Sequence, residues 1–81
     1  MSPEELRAIF IEQLVSVAPD LEPDAIGDDD HLQDDLELDS MDVLNLMSAL
    51  QKKLGVAVPE ADLPQVATPA KAVQYFGQAM S

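Results

Sequence analysis

The sequence contains no cysteine, no tryptophan, one histidine and only four basic residues among its 81. Without cysteine the chain has no disulfide framework, no thiolate metal site and no thiol of its own for catalysis. A chain of this length forms one small domain, which we place at residues 1–81. Such a domain buries only about 60–65% of the surface that its unfolded form exposes, so the core is expected to be thin.

Residue patterns typical of enzymes are also missing. There is no glycine-rich phosphate loop and no serine in a nucleophile-elbow pattern, so we predict that the protein is not an enzyme and has no catalytic residues. His31, the single histidine, stands in an acidic segment, where a surface role is the plain interpretation. That segment lacks the alternating ligands and central glycine of an EF-hand loop, so we predict no metal site.

Long apolar runs are absent, and the N-terminus lacks the basic and apolar regions of a signal peptide. We therefore predict a cytoplasmic, monomeric protein that does not insert into membranes.

Acidic residues dominate the charge, which is formally −12. Eleven of the 16 acids lie between Asp20 and Asp42, and no lysine or arginine occurs between Arg7 and Lys52. This charge repels nucleic acid, because both carry the same sign, and it favours partner proteins with basic surfaces. Taken alone, an acidic block of this kind indicates a solvated face or loop.

Apolar residues recur at the three- and four-residue spacing of an α-helix in three segments. Their ends carry typical signals: proline and two glutamates open the first, Gly55 follows the second, and Thr68-Pro69 opens the third. The predicted helices are residues 3–18, 40–54 and the segment from 69 onwards, with a short helical turn at 59–63.

The connection between the first two helices is long, polar and interrupted by Pro23 and Gly27. Its scattered apolar residues, including Ile26 and Leu32, indicate an ordered strap across the helices that contains short helical turns. The fold class is therefore predicted to be all-α, a small four-helix bundle with three main helices, one short helix and a long loop between the first and second helices.

The acidic loop leads into Asp39-Ser40-Met41-Asp42 at the start of the second predicted helix. For the Asp-Ser pair alone, simple helix capping explains the residues. If Asp39 is the N-cap, Ser40 occupies the first helical position and its hydroxyl stays free, with Asp42 in a position like that of a capping box. A phosphodiester on this hydroxyl would lie beside unpaired N–H groups, where the helix dipole favours an anion.

With these residues the sequence resembles the acyl carrier protein family over nearly the whole chain. The motif is preceded by Asp35-Leu36, and further matching segments are Asp42-Val43, Ala49-Leu50, Val58-Pro59 and Thr68-Pro69-Ala70. Agreement of length, charge and motif position is more specific than the motif alone.

The resemblance implies that a phosphopantetheinyl transferase attaches phosphopantetheine covalently to Ser40. The thiol of this arm would compensate for the absent cysteine and carry acyl groups as thioesters to enzymes of fatty acid, lipid or polyketide biosynthesis. Asp39, Met41 and Asp42 are the implied contacts with basic docking patches on these enzymes.

The resemblance also suggests an acyl-binding cleft between helices, with Leu46, Met47 and Val66 as candidate lining residues. Ordinary core packing is the alternative, because an apolar stripe at helical spacing is more often core.

Two features depart from the family pattern. Glu37 stands where glycine is common, so we expect a different local turn. The second helix has Asn45, Ser48 and Gln51 where acids often stand, so we predict a specialised set of partners. Two alternatives remain: a peptidyl or aminoacyl carrier, less favoured because such carriers tend to be less acidic, and a non-carrying acidic helical protein-interaction module in which Ser40 bears no arm.

Overall fold

The first helix, α1, spans Pro3–Val17 and begins with a reciprocal cap. The hydroxyl of Ser2 accepts the backbone N–H of Glu5 at 3.2 Å, and the Glu5 carboxylate accepts the N–H of Ser2 at 3.4 Å. This capping box satisfies two donors that a helix start otherwise leaves unpaired. The predicted first helix is confirmed in this computed structural model, which describes residues 1–80.

The second helix, α2, spans Ser40–Leu54, as predicted, and ends at Gly55. Gly55 has a φ of 73°, in the left-handed region, and its N–H donates to the Gln51 carbonyl at 2.8 Å. Glycine fits this position because a residue with a β-carbon is strained there. The third helix, α3, spans Pro69–Ala79 and is capped by Thr68, whose hydroxyl accepts a backbone N–H at 3.2 Å.

The short helix between α2 and α3 is longer than the predicted turn at 59–63. It is a 3₁₀ helix spanning Glu60–Val66, and it continues through Pro64. Proline cannot donate a backbone hydrogen bond, so local chain preferences favour an end at this residue. The fully buried side chain of Val66 anchors the segment against the core instead, which accounts for the extension.

The long loop is an ordered strap, as predicted. Its side chains Ile26, Leu32 and Leu38 are buried, and it contains one 3₁₀ turn at Pro23–Ala25. Arg7 of α1 fixes one part of the strap by donating to an Asp28 carboxylate oxygen at 2.5 Å and to the Ile26 carbonyl at 3.0 Å. The same part of the strap is attached to the start of α3, because the Ala70 N–H donates to the Asp28 carbonyl at 3.0 Å.

The core lies where α1 contacts both α2 and α3 and where the short 3₁₀ helix contacts α3. Its buried apolar side chains come from every one of these elements and from the strap: Leu6, Phe10, Ile11, Leu14, Ile26, Leu32, Leu38, Val43, Leu46, Met47, Leu50, Val66, Ala72 and Phe76. The predicted all-α bundle of three main helices, a short helix and a long loop is confirmed. Across residues 1–80, no helix is both long enough and apolar enough to cross a membrane.

Tyr75 connects α3 to the short 3₁₀ helix. Its hydroxyl donates to an Asp62 carboxylate oxygen at 2.8 Å. This hydrogen bond, assisted by desolvation and by the negative charge of Asp62, raises the pKa of Tyr75 above its ordinary value of 10.0. The folded state therefore holds the phenol proton more tightly than the unfolded state does.

We expect Asp62→Ala to lower the pKa of Tyr75 and to weaken the loss of stability at high pH. A raised folded pKa gives a stabilisation that is complete below the unfolded pKa of about 10 and is lost as pH rises through the folded value. Tyr75 is the single tyrosine and tryptophan is absent, so the tyrosinate absorbance reports this group alone. The control is Glu60→Ala, which removes another carboxylate of the short 3₁₀ helix. An equal pKa of Tyr75 in the two variants would show that the hydrogen bond to Asp62 does not raise it.

Candidate functional site

Ser40 is the first residue of α2, with Asp39 as the N-cap, as the motif predicts. Oδ1 of Asp39 accepts the N–H of Asp42 at 2.8 Å, and the Asp39 carbonyl accepts the N–H of Val43 at 3.1 Å. The hydroxyl of Ser40 is exposed and forms no hydrogen bond within residues 1–80. Capping therefore uses Asp39 and leaves the serine hydroxyl available for modification.

The helix start also offers an environment suited to an anion. The caps at Asp42 and Val43 leave the N–H groups of Ser40 and Met41 without a partner in the described part of the chain. Unpaired N–H groups and the positive end of the helix dipole both favour negative charge at this point. A phosphodiester on the Ser40 hydroxyl fits this arrangement of donors.

A cleft of about 340 Å³ opens beside Ser40, between the start of α2, the strap and the short 3₁₀ helix. Its lining combines apolar side chains with polar side chains of the strap and one acid. Its lining residues are His31, Leu32, Gln33, Ser40, Val43, Leu44, Glu60, Leu63, Pro64 and Ala67. A flexible group attached to Ser40 can therefore lie along this surface without displacing any core residue.

The predicted partner-binding residues surround Ser40. Asp39 is exposed, Asp42 is half-buried, and the Met41 side chain is 64% exposed. One turn further along α2, Leu44 is 45% exposed, and it also lines the cleft. The structure thus brings acidic and apolar side chains together around the serine, and their contact with partners stays a prediction.

The three predicted acyl-cleft residues lie apart from this opening. Leu46, Met47 and Val66 belong to the hydrophobic core, with exposures of 0%, 5% and 0%, and none of them lines the cleft beside Ser40. Leu44 and Leu63 line the cleft instead. Leu44 stands four residues after the serine, which is a sequence signal for a shared helix face, whereas Leu63 is brought there by tertiary packing.

Glu37, three residues before Ser40, has a φ of 61° and is the one residue other than glycine with a positive φ within residues 1–80. A β-carbon in the left-handed region costs about 1–2 kcal/mol. A strained glutamate therefore occupies a backbone conformation that suits glycine, and a turn that differs from the family pattern stays a prediction.

We expect Glu37→Gly to raise the free energy of unfolding by about 0.5–1 kcal/mol. Relief of the left-handed strain exceeds the extra freedom that glycine gives to the unfolded chain. Urea denaturation measures the change. Glu37→Ala removes the same charge but keeps the β-carbon, so a gain of equal size in the alanine variant would show that charge repulsion, and not backbone strain, is relieved.

No group of three or more histidine, cysteine, aspartate or glutamate side chains in residues 1–80 is arranged to hold a metal ion.

Comparison with protein families supports the chemistry suggested by this geometry. Residues 5–76 match the family model described as phosphopantetheine attachment site. The match covers most of α1, the strap, α2, the short 3₁₀ helix and most of α3.

Comparison with individual proteins gives the same result. The chain is 38% identical to an acyl carrier protein of Campylobacter hominis over 73 residues, which cover 90% of this chain and 86% of that protein. It is 29% identical to an acyl carrier protein of Zymomonas mobilis, with 93% and 90% of the two chains covered. A solved structure of the acyl carrier protein from Enterococcus faecalis superposes with a TM-score of 0.74, at 25% identity, over 96% of this chain and 98% of that one.

Proposed function

The chain belongs to the phosphopantetheine-attachment family of acyl carrier proteins, and on that premise we propose that Ser40 is the residue that bears the phosphopantetheine. Proteins of this family are carriers and not enzymes, and phosphopantetheine is their prosthetic group. The observation that carries the assignment is the free, exposed hydroxyl of Ser40 at the first position of α2, beside unpaired N–H groups.

The residues around Ser40 have distinct parts in this proposal. The Ser40 hydroxyl oxygen would form the ester, and the N–H groups at the start of α2 would stabilise the negative phosphodiester. Asp39 holds the helix start in shape through its bond to the Asp42 N–H. When bound, phosphopantetheine supplies a terminal thiol that forms thioesters with acyl groups.

We assign the carried groups to acyl chains of fatty acid, lipid or polyketide biosynthesis, delivered to enzymes with basic docking patches. Asp39, Met41 and Asp42 would border the docking surface, because they lie around the attachment point. The formal charge of −12 favours such basic partners and keeps copies of the chain apart, which supports a monomer. A cytoplasmic location is part of the same proposal.

Intact mass spectrometry tests the carrier function. Incubation with a phosphopantetheinyl transferase and coenzyme A should add one phosphopantetheine, and incubation with an acyl-coenzyme A should add one acyl-phosphopantetheine that hydroxylamine cleaves at the thioester. An unmodified mass after both reactions, with a known carrier fully modified in parallel, would favour the alternative of a non-carrying interaction module.

The exposed side of α2 supports a specialised set of partners. Beyond Leu44 it presents Asn45, Ser48 and Gln51, which are uncharged and exposed, and then Lys52. Charge at the edge of an interface mainly sets the rate of encounter and the choice of partner. Enzymes whose basic patches require an acidic helix should therefore associate slowly with this protein.

We expect the double change Asn45→Glu and Gln51→Glu to accelerate acyl transfer by general fatty-acid-synthesis enzymes several-fold at low salt. The gain should shrink in high salt because exposed charges are screened. The matched control is the neutral pair Asn45→Gln and Gln51→Asn. Efficient transfer by the wild-type sequence bearing phosphopantetheine, with no gain from the two added acids, would show that the protein is an ordinary housekeeping carrier.

A further inference from the structure

His31 has a fixed ring orientation that the carrier function as described so far does not use. Its Nδ1 accepts the backbone N–H groups of Gln33 and Asp34, both at 3.1 Å. Two donors aimed at Nδ1 require that nitrogen to be unprotonated, so the proton of the neutral ring is on Nε2. The Nε2–H group has no hydrogen-bond partner within the described residues.

The strap places this ring at the cleft beside Ser40. The next residue, Leu32, is buried, and its backbone is held from two sides: its N–H donates to the Ala67 carbonyl at 2.9 Å, and its carbonyl accepts the Leu38 N–H at 3.0 Å. Leu38 directly precedes the Asp39 cap of α2. These bonds couple the position of His31 to the helix start, and both His31 and Ser40 line the same cleft.

The negative charges around the cleft favour a hydrogen-bond donor at this position. The lining contains the carboxylate of Glu60 and no lysine or arginine. The Asp34 carboxylate lies 3.8 Å from His31 Nδ1, and the Asp35 carboxylate accepts the His31 backbone N–H at 2.7 Å. A phosphodiester on Ser40 would add a further negative charge to these acids, so a fixed, neutral N–H donor would offset part of the repulsion.

We propose that His31 is a positioning residue for the prosthetic group, donating its Nε2–H to the phosphodiester on Ser40 and so directing the arm along the cleft. This inference rests on the proposed attachment at Ser40.

The test is the phosphorus NMR chemical shift of the wild-type sequence and of His31→Asn, each bearing phosphopantetheine, at one fixed pH and salt concentration. We expect the phosphodiester signal to differ between the two proteins, because a hydrogen bond to a phosphate oxygen changes the shielding of the phosphorus. His31 is the single histidine, so no other imidazole can replace the lost donor.

Two variants separate positioning of the arm from support of the strap. His31→Asn places an acceptor where Nδ1 lies, so it preserves the turn but lacks Nε2. Its phosphorus signal should shift although its thermal stability stays near that of the wild-type sequence. Gln33→Ala removes a polar side chain from the same cleft and should keep the wild-type phosphorus signal. An identical phosphorus signal in His31→Asn and in the wild-type sequence would overturn the role of His31. Absence of a phosphorus signal from the wild-type sequence after reaction with a phosphopantetheinyl transferase and coenzyme A would instead overturn the attachment at Ser40, and the inference with it.

Discussion

Ser40→Ala is expected to abolish phosphopantetheine attachment completely and to leave the bundle folded. The hydroxyl is the nucleophile that would attack the pyrophosphate of coenzyme A, where the bond to the departing adenosine bisphosphate breaks, and alanine has no atom to replace it. The fold should tolerate the change because Ser40 is exposed and its hydroxyl forms no bond within residues 1–80. Asp39 keeps the cap, and alanine is a good helix former, so the free energy of unfolding should change by no more than about 0.5 kcal/mol.

The matched control is Ser48→Ala, which removes an exposed serine from the same helix. Ser48 lies inside α2, away from the unpaired N–H groups of the helix start, so its loss should leave modification at full yield. Intact mass after reaction with a transferase, together with helical circular dichroism for both variants, measures the result. Full modification of a folded Ser40→Ala protein would move the attachment site to another residue.

The helices and the position of Ser40 were predictable because their signals are local. Proline, threonine and glycine at the helix ends restrict the backbone through their own covalent structure, and the apolar spacing identifies the buried face. The role of Asp39 as the cap follows from the same local rules, and it decides that the serine hydroxyl is free. Ser2 and Glu5 also carried a readable capping-box signal, although the start at Pro3 was evident without it.

The cleft and the polar side chains that line it were not predictable, because they depend on contacts between distant segments. Leu63 reaches the cleft because the short 3₁₀ helix packs against α3, and no local signal in the sequence shows this contact. His31 reads as a surface residue in the sequence, since nothing local shows that two N–H groups converge on its Nδ1. The strain at Glu37 is likewise a property of the folded backbone. The sequence shows a glutamate where the family commonly has glycine, but it does not show the positive φ of this residue.

The core residues predicted to form an acyl cleft are testable through their stability. Leu46→Ala should lower the free energy of unfolding by about 3–4 kcal/mol, because the side chain is completely buried and its removal leaves a cavity. This is a large part of the total stability expected for an 81-residue domain, about 4–12 kcal/mol. Urea denaturation of the phosphopantetheine-bearing protein measures the loss.

Loading an acyl chain onto the same variant then shows where the chain lies. If the acyl chain enters the core at Leu46, its methylenes fill the cavity. Acylation should then stabilise Leu46→Ala by about 1–2 kcal/mol more than it stabilises the wild-type sequence, at about 0.8 kcal/mol per buried methylene. Leu14→Ala is the control, since it removes an equally buried leucine from α1, outside the predicted cleft. If acylation stabilises the wild-type sequence and Leu46→Ala equally, the predicted core site is contradicted. The acyl chain is then assigned to the outer cleft, against Leu44 and Leu63.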